Sequence, residues 1–126
     1  MKEVIATTSA PAAIGPYSQG IAATGKIAFV SGQLPIDPAT GAFAAEDIQG
    51  QTEQSLKNVG AILAAAGYGY EDVVKTTVLL ADIADFGPMN EVYAKFFKGD
   101  CPARAAFAVK DLPKGAKVEI EAIAVK

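Results

Sequence analysis

Val73-Val74-Lys75-Thr76-Thr77-Val78-Leu79-Leu80-Ala81 is β-branched and apolar on both faces, as expected of a central strand covered on two sides. Upstream of it, Ile48, Thr52, Leu56, Val59, Ile62, Leu63 and Ala66 recur at steps of three and four, one stripe of an amphipathic helix over 47–66, with Gly67 placed to end it. Downstream, Met89, Val92, Tyr93 and Phe96 repeat the spacing over 88–98, with Asp85 as candidate N-cap and Gly99 beyond the end. A strand held between two helices makes the chain an α+β protein with crossovers.

Further out, 105–109 reads as a strand, Asp111-Leu112-Pro113-Lys114-Gly115 as a turn, and Lys117 to Val125 as a strand of strict alternation. Val118, Ile120, Ala122 and Ala124 share one face of it; Glu119, Glu121, Ile123 and Val125 share the other. Towards the N-terminus, 4–8 is a short strand, and the runs 18–23 and 27–31 flank Thr24-Gly25-Lys26, a hairpin signal. Pro35, Asp37, Pro38, Thr40 and Gly41 should exclude any strand from the loop that follows. The order is β-β-β-α-β-α-β-β, one domain over 1–126, with one mixed sheet and both helices on one face if the crossovers share a hand. The other face, apolar in part, should then be buried in an oligomer.

Composition narrows the chemistry. A net charge of -3, a pI near 4.8 and dispersed lysines argue against a nucleic-acid partner, which needs a basic stripe. Histidine is absent and there is one cysteine, which removes the commonest general base and any thiolate metal cluster. Neither a Walker loop nor a G-x-G-x-x-G fingerprint is present. No apolar run nears the ~20 residues of a membrane span. Met1 to Ala6 lacks an export signal's apolar core, so the cytosol is the default location.

One arginine, Arg104, stands among ten lysines, in Pro102-Ala103-Arg104. Its planar fork suits a carboxylate or phosphate, though an ordinary salt bridge fits as well. If the last two strands pair through their turn, Arg104 can approach Glu119, as clamp and proton shuttle or as a plain ion pair; Glu121 is the competing carboxylate. Tyr17, Ser18 and Gln19 between glycines, Ser31-Gly32-Gln33 at a strand end, and Asn90 one turn into the second helix are each site candidates or merely local structure. Cys101 lacks a basic neighbour in sequence and reads as structural.

Six separated stretches, 10–20, 30–35, 74–78, 90–93, 102–104 and 118–124, together resemble the Rid protein family, also called YjgF, in its archetypal enamine/imine deaminase branch. The resemblance implies a chorismate-mutase-like α+β fold with ferredoxin-like pseudo-topology and a homotrimer whose sheets line a central barrel, with sites between subunits. It implies hydrolysis of 2-imino acids such as 2-iminopropanoate and 2-iminobutanoate, derived from enamines of pyridoxal-phosphate dehydratases, to 2-oxo acids and ammonia, without cofactor or metal. On this likeness Arg104 binds the substrate carboxylate, Glu119 positions water and moves protons, Tyr17 and Ser31 contact substrate or water, Gly32 offers its backbone, and Asn90 lines the pocket. Many relatives carry cysteine where this chain has Ala106, which leaves only a backbone contact there, and phenylalanine where it has Cys101. The competing functions are a non-catalytic module holding small 2-oxo acids and, less in keeping with the acidic composition, an endoribonuclease or translation inhibitor.

Overall fold

The computed structural model describes residues 2–126; Met1, the first residue of the segment lacking an export signal's core, lies outside them. In chain order the elements are β1 (Lys2–Ile5), β2 (Gly20–Ala23), β3 (Ile27–Gln33), β4 (Ile36–Asp37), β5 (Ala42–Phe43), α1 (Ile48–Ala65), β6 (Val73–Leu80), α2 (Phe86–Phe96), β7 (Ala103–Ala108) and β8 (Val118–Val125). The expected order is present, with one addition. The breaker-rich loop holds a two-residue ladder, Ile36↔Phe43 and Asp37↔Ala42, because the Asp37 carbonyl accepts from Thr40 and Gly41 and so closes a turn between them.

β3, β8, β6 and β7 lie in that order in one mixed sheet, with β6 and β7 parallel and the other neighbours antiparallel. Both helices pack on one face. α1 delivers Leu56, Val59 and Leu63 to the core and α2 delivers Met89 and Tyr93, against Val78, Leu80, Val118 and Ile120 of the sheet, all at most 1% exposed. Asp47 caps α1 by accepting from the Gly50 amide, and Gly67 (φ +82°) ends it: its N–H reaches Ala64 and that of Tyr68 reaches Leu63. Asp85 sits at the N-cap of α2 without a side-chain capping bond; Asp82 caps the preceding turn through the Ala84 amide. Ile62, assigned to the apolar stripe, is 41% exposed at its margin.

Two strand pairings differ from expectation. β2 and β3 form no hairpin: Lys26 and Lys126 exchange both backbone hydrogen bonds, which sends β3 along β8, while β2 pairs with β1. Gly25, at φ +142°, makes that redirection; a Cβ there would run into the Lys126 carbonyl. Nor do β7 and β8 pair. The α2 crossover lays β7 parallel to one edge of β6, leaving the opposite edge to β8. The 111–115 stretch passes across the end of β6 instead, where Val109 donates to the Leu80 carbonyl and Ala81 to that of Lys117.

β6 is covered by helices on the side of Thr76, Val78 and Leu80; Lys75, Thr77 and Leu79 face away and are half-buried. On that second face Ile27, Phe29 and Phe107 are 54%, 74% and 46% exposed. Among the described residues no helix is long and apolar enough to cross a membrane.

Candidate active site

Arg104 shares a register position with Thr76 on the neighbouring parallel strand, so its side chain leaves the sheet on the helix side. There it meets α2. Nη1 donates to Asn90 Oδ1 at 2.6 Å, and the guanidinium carbon lies 4.8 Å from the ring centre of Tyr93 and 5.5 Å from those of Phe86 and Tyr17. Phe86, Asn90 and Tyr93 fall at steps of four and three on α2, one face of the helix turned to one side chain. Among the described residues Arg104 joins no ion pair. Burial lowers its pKa, opposed by Tyr93, Tyr17 and Cys101, yet a guanidinium stays cationic at neutral pH.

Tyr17 comes from the 15–20 loop, which is stitched to the start of β7. Ser18 N–H donates to the Pro102 carbonyl at 3.1 Å, its hydroxyl donates to the Cys101 carbonyl, and Ser18 forms an isolated parallel bridge with Ala103. Gln19 bonds Thr7, Ala10 and Pro11, holding the preceding loop. Ala106 lies two residues beyond Arg104 on the same face and packs on the core. Burial drives the Tyr93 phenol up to about 12, against the lowering effects of the Thr76 hydrogen bond and the Arg104 charge.

Glu119 belongs elsewhere. Opposite Leu79 in register, it faces the bare side of the sheet, two strands (about 10 Å) from β7. The approach to Arg104 expected from a β7–β8 hairpin therefore does not occur within the chain, because β6 separates the strands and the two side chains leave on opposite faces. Glu119 instead meets β3. Val30 pairs with Ala122 and Gln33 with Ile120, so Ser31 and Gly32 together oppose Glu121, a β-bulge. The bulge puts Gly32 against the Glu119 carboxylate so closely that a Cβ would overlap it. Ser31 is exposed beside it, and Glu121 is exposed as well.

The site candidates thus form two half-sites: Tyr17, Asn90, Arg104 and Ala106 on one side, Ser31, Gly32 and Glu119 on the other. A cavity of about 680 Å³ between the N-terminal segment and residues 17–19 touches the first half only through Tyr17.

The Endoribonuclease L-PSP family model matches residues 7–126. The chain belongs to this family. A 2-iminobutanoate/2-iminopropanoate deaminase of Mus musculus is 52% identical over 126 residues, covering 100% of this chain and 93% of its own. Reactive Intermediate Deaminase A, chloroplastic, of Arabidopsis thaliana is 54% identical over 98% of this chain, which spans 65% of that protein's length. The solved YjgF gene product of E. coli superposes with a TM-score of 0.77 at 48% identity and 98% coverage of each chain.

Two aromatic neighbours of Arg104 in this Rid chain are not site candidates by sequence. Phe86 and Tyr93 flank Arg104, though helical spacing marked Tyr93 only as core and left Phe86 outside the helix; the 86, 90, 93 progression was the readable sign. Ser18, a site candidate by composition, is an anchor whose hydroxyl donates to the Cys101 carbonyl.

Proposed function

We propose that Arg104 holds the carboxylate of a 2-imino acid while Glu119 of a neighbouring copy orients the water that hydrolyses it. The chain is a deaminase of reactive imines, in keeping with full-length relatives so named at 52% and 49% identity. One observation carries the assignment of Arg104: a half-buried guanidinium that meets an amide and three aromatic rings but, among the described residues, no carboxylate. Such a cation gains from an anionic ligand, and its remaining N–H donors suit a carboxylate bidentately.

The chemistry asks little of the protein. Water adds to the imine carbon to give a carbinolamine, a proton moves to nitrogen, and the C–N bond breaks to release ammonia and leave a 2-oxo acid. Glu119 takes the water's proton and passes it to the departing nitrogen. The Gly32 backbone gives the carboxylate room, Ser31 and Tyr17 contact substrate or water, Asn90 lines the pocket, and the Ala106 backbone borders the carboxylate. No cofactor, metal or nucleic acid takes part.

Because Arg104 and Glu119 leave the sheet on opposite faces, a complete site needs two copies of the chain. A homotrimer of chorismate-mutase-like subunits, with the bare faces around a central barrel, supplies three such sites and covers Ile27, Phe29 and Phe107. The same separation favours a second reading for an isolated copy, which would hold a 2-oxo acid without turnover.

Generating 2-iminobutanoate in situ from threonine with a pyridoxal-phosphate dehydratase and following its decay tests the assignment. Wild type should accelerate ammonia release and Arg104→Ala should lose at least about 100-fold in kcat/KM. Equal rates for the two would overturn it.

A further inference from the structure

Arg104 is a long side chain with several rotatable bonds, and a bidentate clamp needs its fork fixed before the ligand arrives. Asn90 fixes one N–H. Against the fork lies Tyr93. Its ring is the closest of the three to the guanidinium, at 4.8 Å, and it is itself immobile: fully buried, tilted against Phe97 at 4.7 Å, and tied through Oη to Thr76 Oγ1 at 2.7 Å. Thr76 is in turn the register partner of Arg104. Strand β6, helix α2 and strand β7 therefore close a circuit of Thr76, Tyr93 and Arg104, and Phe86 adds a second ring from the same helix.

We propose that the buried Thr76–Tyr93 pair, with Phe86, is the positioning element of this site, holding the Arg104 guanidinium against aromatic rings so that its remaining N–H donors are free for substrate. The proposal rests on the carboxylate-clamp role of Arg104. A hydrophobic core needs neither the hydroxyl pair of Thr76 and Tyr93 nor three aromatic rings gathered on one cation; a preorganised cation gains mainly from the rings and further from the hydroxyl pair that fixes one of them. Tyr93 and Phe86 touch Arg104 and not the reacting atoms, so their loss should fall on binding.

The test measures KM and kcat for 2-iminobutanoate, and inhibition by 2-oxobutanoate, in Tyr93→Leu, Tyr93→Phe, Thr76→Val and Phe86→Leu. Expected are a rise in KM and in the inhibition constant of about tenfold for Tyr93→Leu and threefold or more for Phe86→Leu, with kcat within about twofold. Tyr93→Phe, which keeps the ring, should recover most of the affinity lost in Tyr93→Leu, and Thr76→Val should fall between. Should Tyr93→Leu fail to fold, the half-buried Phe86 decides. Unchanged KM in Phe86→Leu and in every Tyr93 or Thr76 variant that folds, beside an inactive Arg104→Ala, would reduce the aromatic group to packing. A fully active Arg104→Ala would instead remove the clamp itself.

Discussion

The two faces of the four-stranded sheet are built by the same strands and do opposite work. On the helix side β8 presents Val118, Ile120, Ala122 and Ala124, each at most 2% exposed, and the edge of that face holds Arg104 in its aromatic setting. On the bare side the same strand presents Glu119 and Glu121 among half-exposed apolar residues, with Gly32 bulged against Glu119. One face is covered within the chain; the other is bare and carries Glu119, the residue to which the proposed function gives the proton transfer. Alternation along a strand, which usually separates core from solvent, here separates a helix-covered core from a bare face that is itself partly apolar.

The largest expected effect tests whether the faces cooperate across copies. Glu119→Gln should cut kcat by about 100- to 10,000-fold. Unfolding and refolding it together with Arg104→Ala at equal amounts should restore about a quarter of wild-type activity, the share of interfaces combining an intact Arg104 with an intact Glu119. No recovery, with mixed oligomers verified by mass, would mean that Arg104 and Glu119 of different copies do not share a site.

Next, the faces should answer truncation differently. Leu56→Ala, under the helix, should cost about 2–5 kcal/mol of stability in denaturant unfolding. Phe29→Ser, on the bare face, should instead shift the oligomer towards monomer in sedimentation while the helical signal remains. If Phe29→Ser left assembly intact, the bare face would not be the interface.

Gly32→Ala probes the bulge. The added methyl must displace the Glu119 carboxylate, so kcat should fall about tenfold or more with KM for the imino acid little changed, because the substrate carboxylate is held by the Arg104 of the other copy and not by Glu119. A change confined to KM would contradict that separation.

Smallest, and confined to the helix side, is an alkaline effect of Tyr93. Its folded pKa, about 12, lies above the ordinary value of 10, so the neutral phenol stabilises the fold fully below pH 10 and that contribution is lost as pH rises through 12. Melting temperature should therefore fall more steeply between pH 10 and 12 in wild type than in Tyr93→Phe. Parallel pH profiles would show that another group governs alkaline unfolding.

Much of this was legible in the sequence. Periods of two and three-to-four placed β8, α1 and α2, a run apolar on both faces placed β6, and the chemistry came from the six stretches that resemble the Rid family, since Arg104 and Glu119 alone fit an ion pair as well. The partners of strands were not legible. Thr24-Gly25-Lys26 has the composition of a hairpin turn, but whether Gly25 joins β2 to β3 or turns β3 onto β8 depends on Lys126, a hundred residues away. Asp111 to Gly115 reads as a tight turn whether it links neighbours or steps over the end of β6.

The sequence by itself determined the two helices and the long strands to within a few residues, but not the short ladder at Ile36–Phe43, together with which residues share a face and which side chains can do acid-base and anion chemistry, because these follow from local sterics and side-chain type. Only the tertiary structure decided that Arg104 and Glu119 look in opposite directions, that α2 turns Phe86, Asn90 and Tyr93 on the arginine, and that Gly32 must yield to Glu119. Those depend on which strand fills the middle of the sheet, a competition among distant segments for the same hydrogen-bonding edges and the same core.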